Sequence, residues 1–257
     1  MSHWDETYDA LAGCYDDMTE DVNYPAWADF LEKLFARSPH PVHTVLDLAC
    51  GTGTMSFLLA QRGYELIGVD FSPEMLAIAA EKTVEGEGEP PIFLCQAMEE
   101  LDLYGTVDAC VCLLDSVNHV TRPDQLKKAF QRVWLFLEPG GLFVFDVHTP
   151  AHLEGLDGGM FLDETEDAYC VWRTDYDPRR KICTYGMDVF RREGALWRRE
   201  EEVHEERAYS PAELTDYLTQ AGFQDIRQYG DRKLRSPRAE EARIFFTARK
   251  PADESLK

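Results

Sequence analysis

The chain is short of basic residues: 26 lysines and arginines stand against 48 aspartates and glutamates in 257 residues, a net charge of −22. Such a surface repels RNA and DNA unless a local basic patch overrides it. The clusters Arg179-Arg180-Lys181, Arg191-Arg192 and Arg198-Arg199 lie among acids and read as solvated surface, so nucleic acid is not expected as a partner. Seven cysteines occur, an odd number, and none form a C-x-x-C pair. This excludes a disulfide framework and a structural zinc site, and no metal is expected. The cysteine usage points to a reducing, cytoplasmic setting. No apolar run is long enough for a membrane helix, and there is no signal-peptide pattern, internal repeat or low-complexity tract.

What the chain does have is centred on Val45-Leu46-Asp47-Leu48-Ala49-Cys50-Gly51-Thr52-Gly53-Thr54. An apolar run carrying an acid meets a glycine turn, and a helical pattern follows. Gly51 and Gly53 let the backbone approach a ligand closely. The helix start behind them offers unpaired N–H groups. A second strand, Glu65 to Val69, ends in Asp70, where an acid typically takes ribose hydroxyls. The pair reads as an adenosine-type site. The dinucleotide fingerprint G-x-G-x-x-G fails, because its register puts Ser56 where the third glycine belongs.

The D-L-A-C-G-T-G-T turn resembles motif I of the class I S-adenosylmethionine-dependent methyltransferases. Gly68-Val69-Asp70-Phe71-Ser72-Pro73-Glu74-Met75-Leu76 resembles the second motif of that family. The likeness covers nearly the whole chain and is strongest to small bacterial methyltransferases of the YqeM type. It is carried by Tyr15-Asp16, Leu46 to Gly53, Cys112 to Asn118, Leu137 to His148 and His204 to Arg207. The resemblance implies a Rossmann-like, doubly wound α/β fold: a seven-stranded sheet of order 3-2-1-4-5-7-6, strand 7 antiparallel. It implies S-adenosylmethionine as methyl donor and S-adenosylhomocysteine as product. Asp47, Ala49, Cys50, Gly51 and Gly53 would hold the methionine part, Asp70 the ribose, and Phe71 would flank the adenine. Met98 would pack on the ring, and Leu113 would lie near the methyl. Tyr8 and Tyr15 would close over the donor. The family usually places an acid on the adenine amino group, and Ala97 stands there instead. Adenine contact then falls to the backbone of Ala97 and Met98, with Gln96 nearby.

Other elements follow from local signals. Pro25 starts a helix bearing Trp27, Phe30, Leu31, Leu34 and Phe35. Ser72-Pro73 caps and opens another helix, and Ser210-Pro211-Ala212-Glu213 is a capping box. Residues 85–91 form a polar loop, and 251–257 a polar tail. Pro139-Gly140-Gly141 is expected to separate a helix from a strand at Leu142 to Val147. From about 157 to 207 helical signals give way to alternation, giving three antiparallel strands at Ala168 to Thr174, Lys181 to Arg191 and Leu196 to Arg207. The expected division is a donor-binding core at 1–150 and 208–257, with an inserted antiparallel β lid, or substrate subdomain, at 151–207.

Methyl transfer is an in-line displacement at an activated sulfonium carbon, so the protein mainly supplies alignment and a dry site. A base helps only if the acceptor is protonated. Tyr15, Asp115, Asn118 and His148 are the catalytic candidates, at the strand carboxyl ends or over the donor. Asp115 and Asn118 are alternatively helix caps. His119 reads instead as a solvent-facing loop histidine, and alternation leaves the direction of His204 open. The expected acceptor is a small molecule. Methylation of protein or RNA, or donor binding without catalysis, are the alternatives. The chain is expected as a monomer or homodimer.

Overall fold

The computed structural model describes residues 9–83 and 88–252. Tyr8, part of the 85–91 loop and most of the tail lie outside the described residues. Two one-turn helices, α1 (Asp9–Ala12) and α2 (Tyr15–Met18), precede α3 (Tyr24–Phe35). Asn23 caps α3 by accepting from the Ala26 N–H at 3.1 Å. The chain then alternates: β1 (Thr44–Leu48), α4 (Thr54–Gln61), β2 (Glu65–Asp70), α5 (Pro73–Glu81), β3 (Ile92–Cys95), β4 (Val107–Cys112), α6 (Ser116–His119), α7 (Pro123–Phe136) and β5 (Leu137–His148). The Ser72 hydroxyl accepts from the Met75 N–H at 3.1 Å, so the cap read from sequence opens α5.

After α8 (Pro150–Gly155) come β6 (Met160–Glu164), β7 (Ala168–Asp177), β8 (Ile182–Glu193) and β9 (Leu196–Arg207). The chain closes with α9 (Pro211–Ala221), β10 (Gln224–Gly230) and β11 (Arg243–Arg249). The Ser210–Glu213 capping box is present at the start of α9.

The main sheet has seven strands in the order β10-β11-β5-β4-β1-β2-β3. Numbered within the sheet alone, this is the expected 3-2-1-4-5-7-6, and β11 runs antiparallel to β5. Alternate residues serve opposite faces. Leu46, Phe143, Phe145 and Phe246 join one buried cluster with helices α7 and α9. Val45, Val144 and Phe245 join the other, with α3 and α4. The second sheet, β6-β7-β8-β9, is antiparallel throughout. Its strand β9 turns Glu202, His204 and Glu206 inward, where each is buried.

Several elements differ from the sequence reading, among them β7, which runs on to Asp177, and β8, which spans Ile182–Glu193. β5 begins at Leu137, because residues Pro139-Gly140-Gly141 stay in the strand: the Gly140 N–H donates to Lys250 O and the Lys250 N–H to Gly141 O, both at 3.1 Å. β6 was not anticipated. It is an edge strand with every residue exposed, so no buried face marks it by alternation. Helix α8, capped by Thr149, was likewise missed. No helix among the described residues is long and apolar enough to cross a membrane.

Candidate active site

The loops at the carboxyl ends of β1, β2, β3 and β4 enclose a cavity of about 450 Å³ and, beside it, a second of about 50 Å³. Tyr15, Ala49, Gly51, Leu114 and Ser116 belong to both, so Tyr15 stands at the partition. The backbone is left-handed at Ala49 and Gly51 on one side and at Leu114 and Asp115 on the other. Such positions cost free energy and persist only where the surroundings fix them. Here they bend both loops around the cavity.

The two glycines of the turn differ. A Cβ on Gly51 would meet nothing within 4 Å, so that side is open. A Cβ on Gly53 would come 2.8 Å from the Phe93 ring. Gly53 therefore serves packing and the left-handed start of α4, and it is the one residue of the expected donor set that lines neither cavity.

Asp47 reaches the smaller cavity. It is 2% exposed, and it accepts from the Ser56 hydroxyl at 2.6 Å. Burial pushes its carboxyl up to about 6, with the Ser56 bond opposing and Asp70 adding to the rise. Cys50 and Leu113 line the same space. Asp70 lines the larger cavity and accepts from the Gly51 N–H at 2.8 Å and the Ser72 N–H at 2.9 Å. Burial raises its pKa, against the lowering effect of those bonds. Phe71, Gln96, Ala97 and Met98 complete that wall. The Gln96 side chain is engaged elsewhere: it donates to Asp102 O at 3.1 Å and accepts from the Asp102 N–H at 2.9 Å. Glu99 and Glu100, which the sequence reading did not single out, also line the cavity. A ligand with an adenosine at one end and an ammonium at the other suits this pair of cavities. The open Gly51 backbone, the Asp70 carboxylate and the apolar Phe71 and Met98 surround one end, and the thinly partnered Asp47 faces the other.

The catalytic candidates separate. Tyr15 is in the lining, and burial keeps its phenol protonated by pushing its pKa far up. Asn118 is wholly buried and spends its amide on the backbone: it accepts from the His148 N–H at 3.0 Å and donates to His148 O at 3.3 Å and Arg207 O at 3.0 Å. It pins the end of β5 to the end of β9 and does not line the cavity. Asp115 lies behind the wall, accepting from Arg243 at 2.6 Å. Burial alone would raise its pKa, but His148 and Arg243 hold the carboxyl well below the usual range. His148 places Nδ1 3.0 Å from Glu206, and Arg243 donates to Nε2 at 2.8 Å. In the neutral ring the proton therefore sits on Nδ1. Burial lowers the His148 pKa, but Asp115 and Glu206 outweigh it and the net shift is upward.

Asp115, His148 and Glu206 bring three potential metal-ligand atoms within 4.8 Å of one another. Arg243 donates to both Asp115 and His148, so the cluster is tied together as an ion-pair network. Arg243 also pairs with buried Asp146.

His119 corrects the expectation of a solvent-facing loop. The left-handed pair before α6 turns it into the cavity wall. Its Nε2 lies 3.8 Å from Asp115 Oδ2. Burial lowers its pKa, but Asp115 and Glu206 more than offset this and raise it overall. His204 points inward, its ring 5.9 Å from that of His119, and pairs with Glu202.

Residues 45–141 match the family described as Methyltransferase domain. YqeM of Bacillus subtilis (strain 168), a methyltransferase by name, is 32% identical over 245 residues, covering 95% of this chain and 97% of its own length. A crystal structure of an S-adenosylmethionine-dependent methyltransferase from Clostridium acetobutylicum matches with a TM-score of 0.83 at 27% identity, over 95% of this chain and 99% of its own. The CcbJ methyltransferase of Streptomyces caelestis matches at 0.81 and 25% identity, over 97% and 100%. Fold, cavity and relatives agree, and the chain belongs to the S-adenosylmethionine-dependent methyltransferases.

Proposed function

We propose that this enzyme methylates the nitrogen of a small amine held in the larger cavity beside His119. The observation that carries the reading is the charge of the lining. Beyond Asp70, which is taken by the donor's ribose, Glu99 and Glu100 contribute carboxylates, and among the described residues no lysine or arginine lines the cavity. Such a wall favours a cationic ammonium over a carboxylate or phosphate acceptor. The donor supplies a methyl carbon on a positively charged sulfur, already activated for displacement.

The residues then divide the work. Asp47, Ala49, Cys50, Gly51 and Leu113 surround the amino-acid end of the donor, with Gly53 setting the turn. Asp70 takes the ribose, and Phe71 and Met98 enclose the adenine, with Ala97 and Gln96 giving backbone contacts. Tyr15 covers the partition and presents a protonated hydroxyl. An amine must lose its proton to expose a lone pair, and His119 receives it. Asp115 orients His119 and stabilises its charged form. Asn118 and His148 hold the surrounding loops in register. Residues 151–207 act as the substrate lid over the core formed by 1–150 and 208–257.

Docking of RNA or protein through the lid arginines is disfavoured by their partners. Arg173 and Arg199 are paired with Asp188, and Arg191 with Glu200.

The test is S-adenosylhomocysteine formation across panels of amines, phenols and carboxylic acids. Turnover confined to phenols or acids would overturn the amine assignment. With an active amine, kcat/KM should rise with pH through a limb above about 6.5, the ordinary histidine value that Asp115 raises. His119→Gln should lose that limb and about a hundredfold in kcat.

A further inference from the structure

The segment spanning α1 and α2 joins parts of the molecule that the two sheets leave apart. α1 packs on α5 and on β9. The Leu11 N–H donates to Glu202 Oε2 at 3.0 Å, and Leu11 and Cys14 are buried against Ala168, Cys170, Met187 and Val189 of the second sheet. One turn later Asp16 reaches the other way. Its Oδ1 accepts from the Thr52 hydroxyl at 2.6 Å and the Thr54 hydroxyl at 3.2 Å. Its Oδ2 pairs with Lys82 Nζ at 2.6 Å, and Lys82 also donates to the Thr54 hydroxyl at 2.9 Å. Thr52 lies in the glycine turn after β1, Thr54 opens α4 directly behind it, and Lys82 closes the end of α5. One carboxylate thus gathers the loop after β1 and the helix after β2, both beside the donor site. Tyr15, the residue before it, stands between the two cavities.

We propose that Asp16 is a positioning residue, a latch that fastens the 9–18 segment across the donor site and sets how fast the donor's product leaves. It acts through Tyr15 and the glycine turn, not by touching the reacting atoms. A ligand that spans both cavities passes under Tyr15, so its release requires this segment to lift. Lifting at α2 breaks the Asp16 bonds, while the Leu11–Cys14 packing leaves the other end attached to the second sheet. A carboxylate accepting two hydroxyls and one ammonium makes stronger bonds than neutral pairs do. Both Asp16 and Lys82 are partly exposed, which keeps the latch openable and sensitive to salt. The inference rests on the donor site and not on the amine acceptor or on His119, so either can fail alone.

The experiment is stopped-flow dissociation of S-adenosylhomocysteine from the full-length protein, with thermal unfolding of each variant alongside. Asp16→Asn, which keeps the shape and removes the charge, should release the ligand roughly tenfold faster with little change in unfolding temperature. Lys82→Met should release it a few times faster and flatten the dependence on ionic strength expected of the unaltered protein. The double variant should be no faster than Asp16→Asn, because both remove one latch. Asp17→Asn, the exposed neighbour, should match the unaltered protein. An unchanged release rate in Asp16→Asn overturns the proposal, as does equal acceleration in Asp17→Asn. If Asp16→Asn fails to fold, Lys82→Met with an unaltered rate and salt dependence overturns it alone.

Discussion

The wall under the glycine turn and the wall under β9 each enclose a carboxylate, and they treat it in opposite ways. Asp47 has the Ser56 hydroxyl, and its carboxyl is pushed up to about 6. Asp115 has Arg243 at 2.6 Å and His148 at 3.7 Å, and is held well below the usual range. The first acid is short of a cation, and a ligand ammonium would supply it. The second already has its cations from the protein. An enclosed charge left underpaired marks where a ligand's charge belongs, whereas a saturated one marks a joint. The joint here spans the loop after β4 together with β5, β9 and β11, because Arg243 reaches Asp115, Asp146 and His148, and His148 reaches Glu206.

The comparison breaks most visibly at Arg243. Arg243→Met leaves Asp146, 0% exposed, and Asp115 without their guanidinium, and should cost about 3–5 kcal/mol in urea unfolding. A loss below about 1 kcal/mol would mean that the network does not join the two regions. Next come the two glycines of the turn. Gly53→Ala drives a methyl into Phe93 at a left-handed position and should destabilise by about 2 kcal/mol. Gly51→Ala meets open space, so it should lose only the backbone term of about 1 kcal/mol, and its larger effect should fall on S-adenosylhomocysteine affinity by calorimetry. Equal stability losses would refute the division of roles.

The effect at Asp47 shows only as a pH dependence. Its native pKa is raised from an ordinary 3.8 to about 6, so the native state holds that proton more tightly than the unfolded chain. The stabilisation is fully present below the unfolded value and is lost as pH rises through about 6. Asp47→Asn does not titrate. Its unfolding free energy relative to the unaltered protein should therefore improve by about 2 kcal/mol between pH about 4.5 and about 8. A pH-independent difference would show that Asp47 is ionised throughout.

The donor side was legible because its signals are local. Gly51, Asp70 and the Ser72-Pro73 cap act on residues a few positions away, and their chemistry can be recognised without knowing the rest of the fold. The other side was legible only in residue type. Asn118 lies in α6 and His148 closes β5, and their side chains are used by Arg207 and Glu206, distant in the chain. His119 read as exposed because nothing in Leu114-Asp115 announces two left-handed residues. Arg243 carried a weak signal, a cation opening a strand that continues with the apolar Ile244-Phe245-Phe246.

By itself the sequence determined the parallel α/β core, the strand order implied by its family and the glycine turn that receives the donor. Those depend on hydrophobic period, turn chemistry and caps, which are short-range. Only the tertiary structure decided which acids are saturated, which histidine faces the cavity, and that Asp16 is tied to the glycine turn and Lys82. Whether a buried charge is spent or available depends on partners brought together by folding, and no spacing along the chain records that.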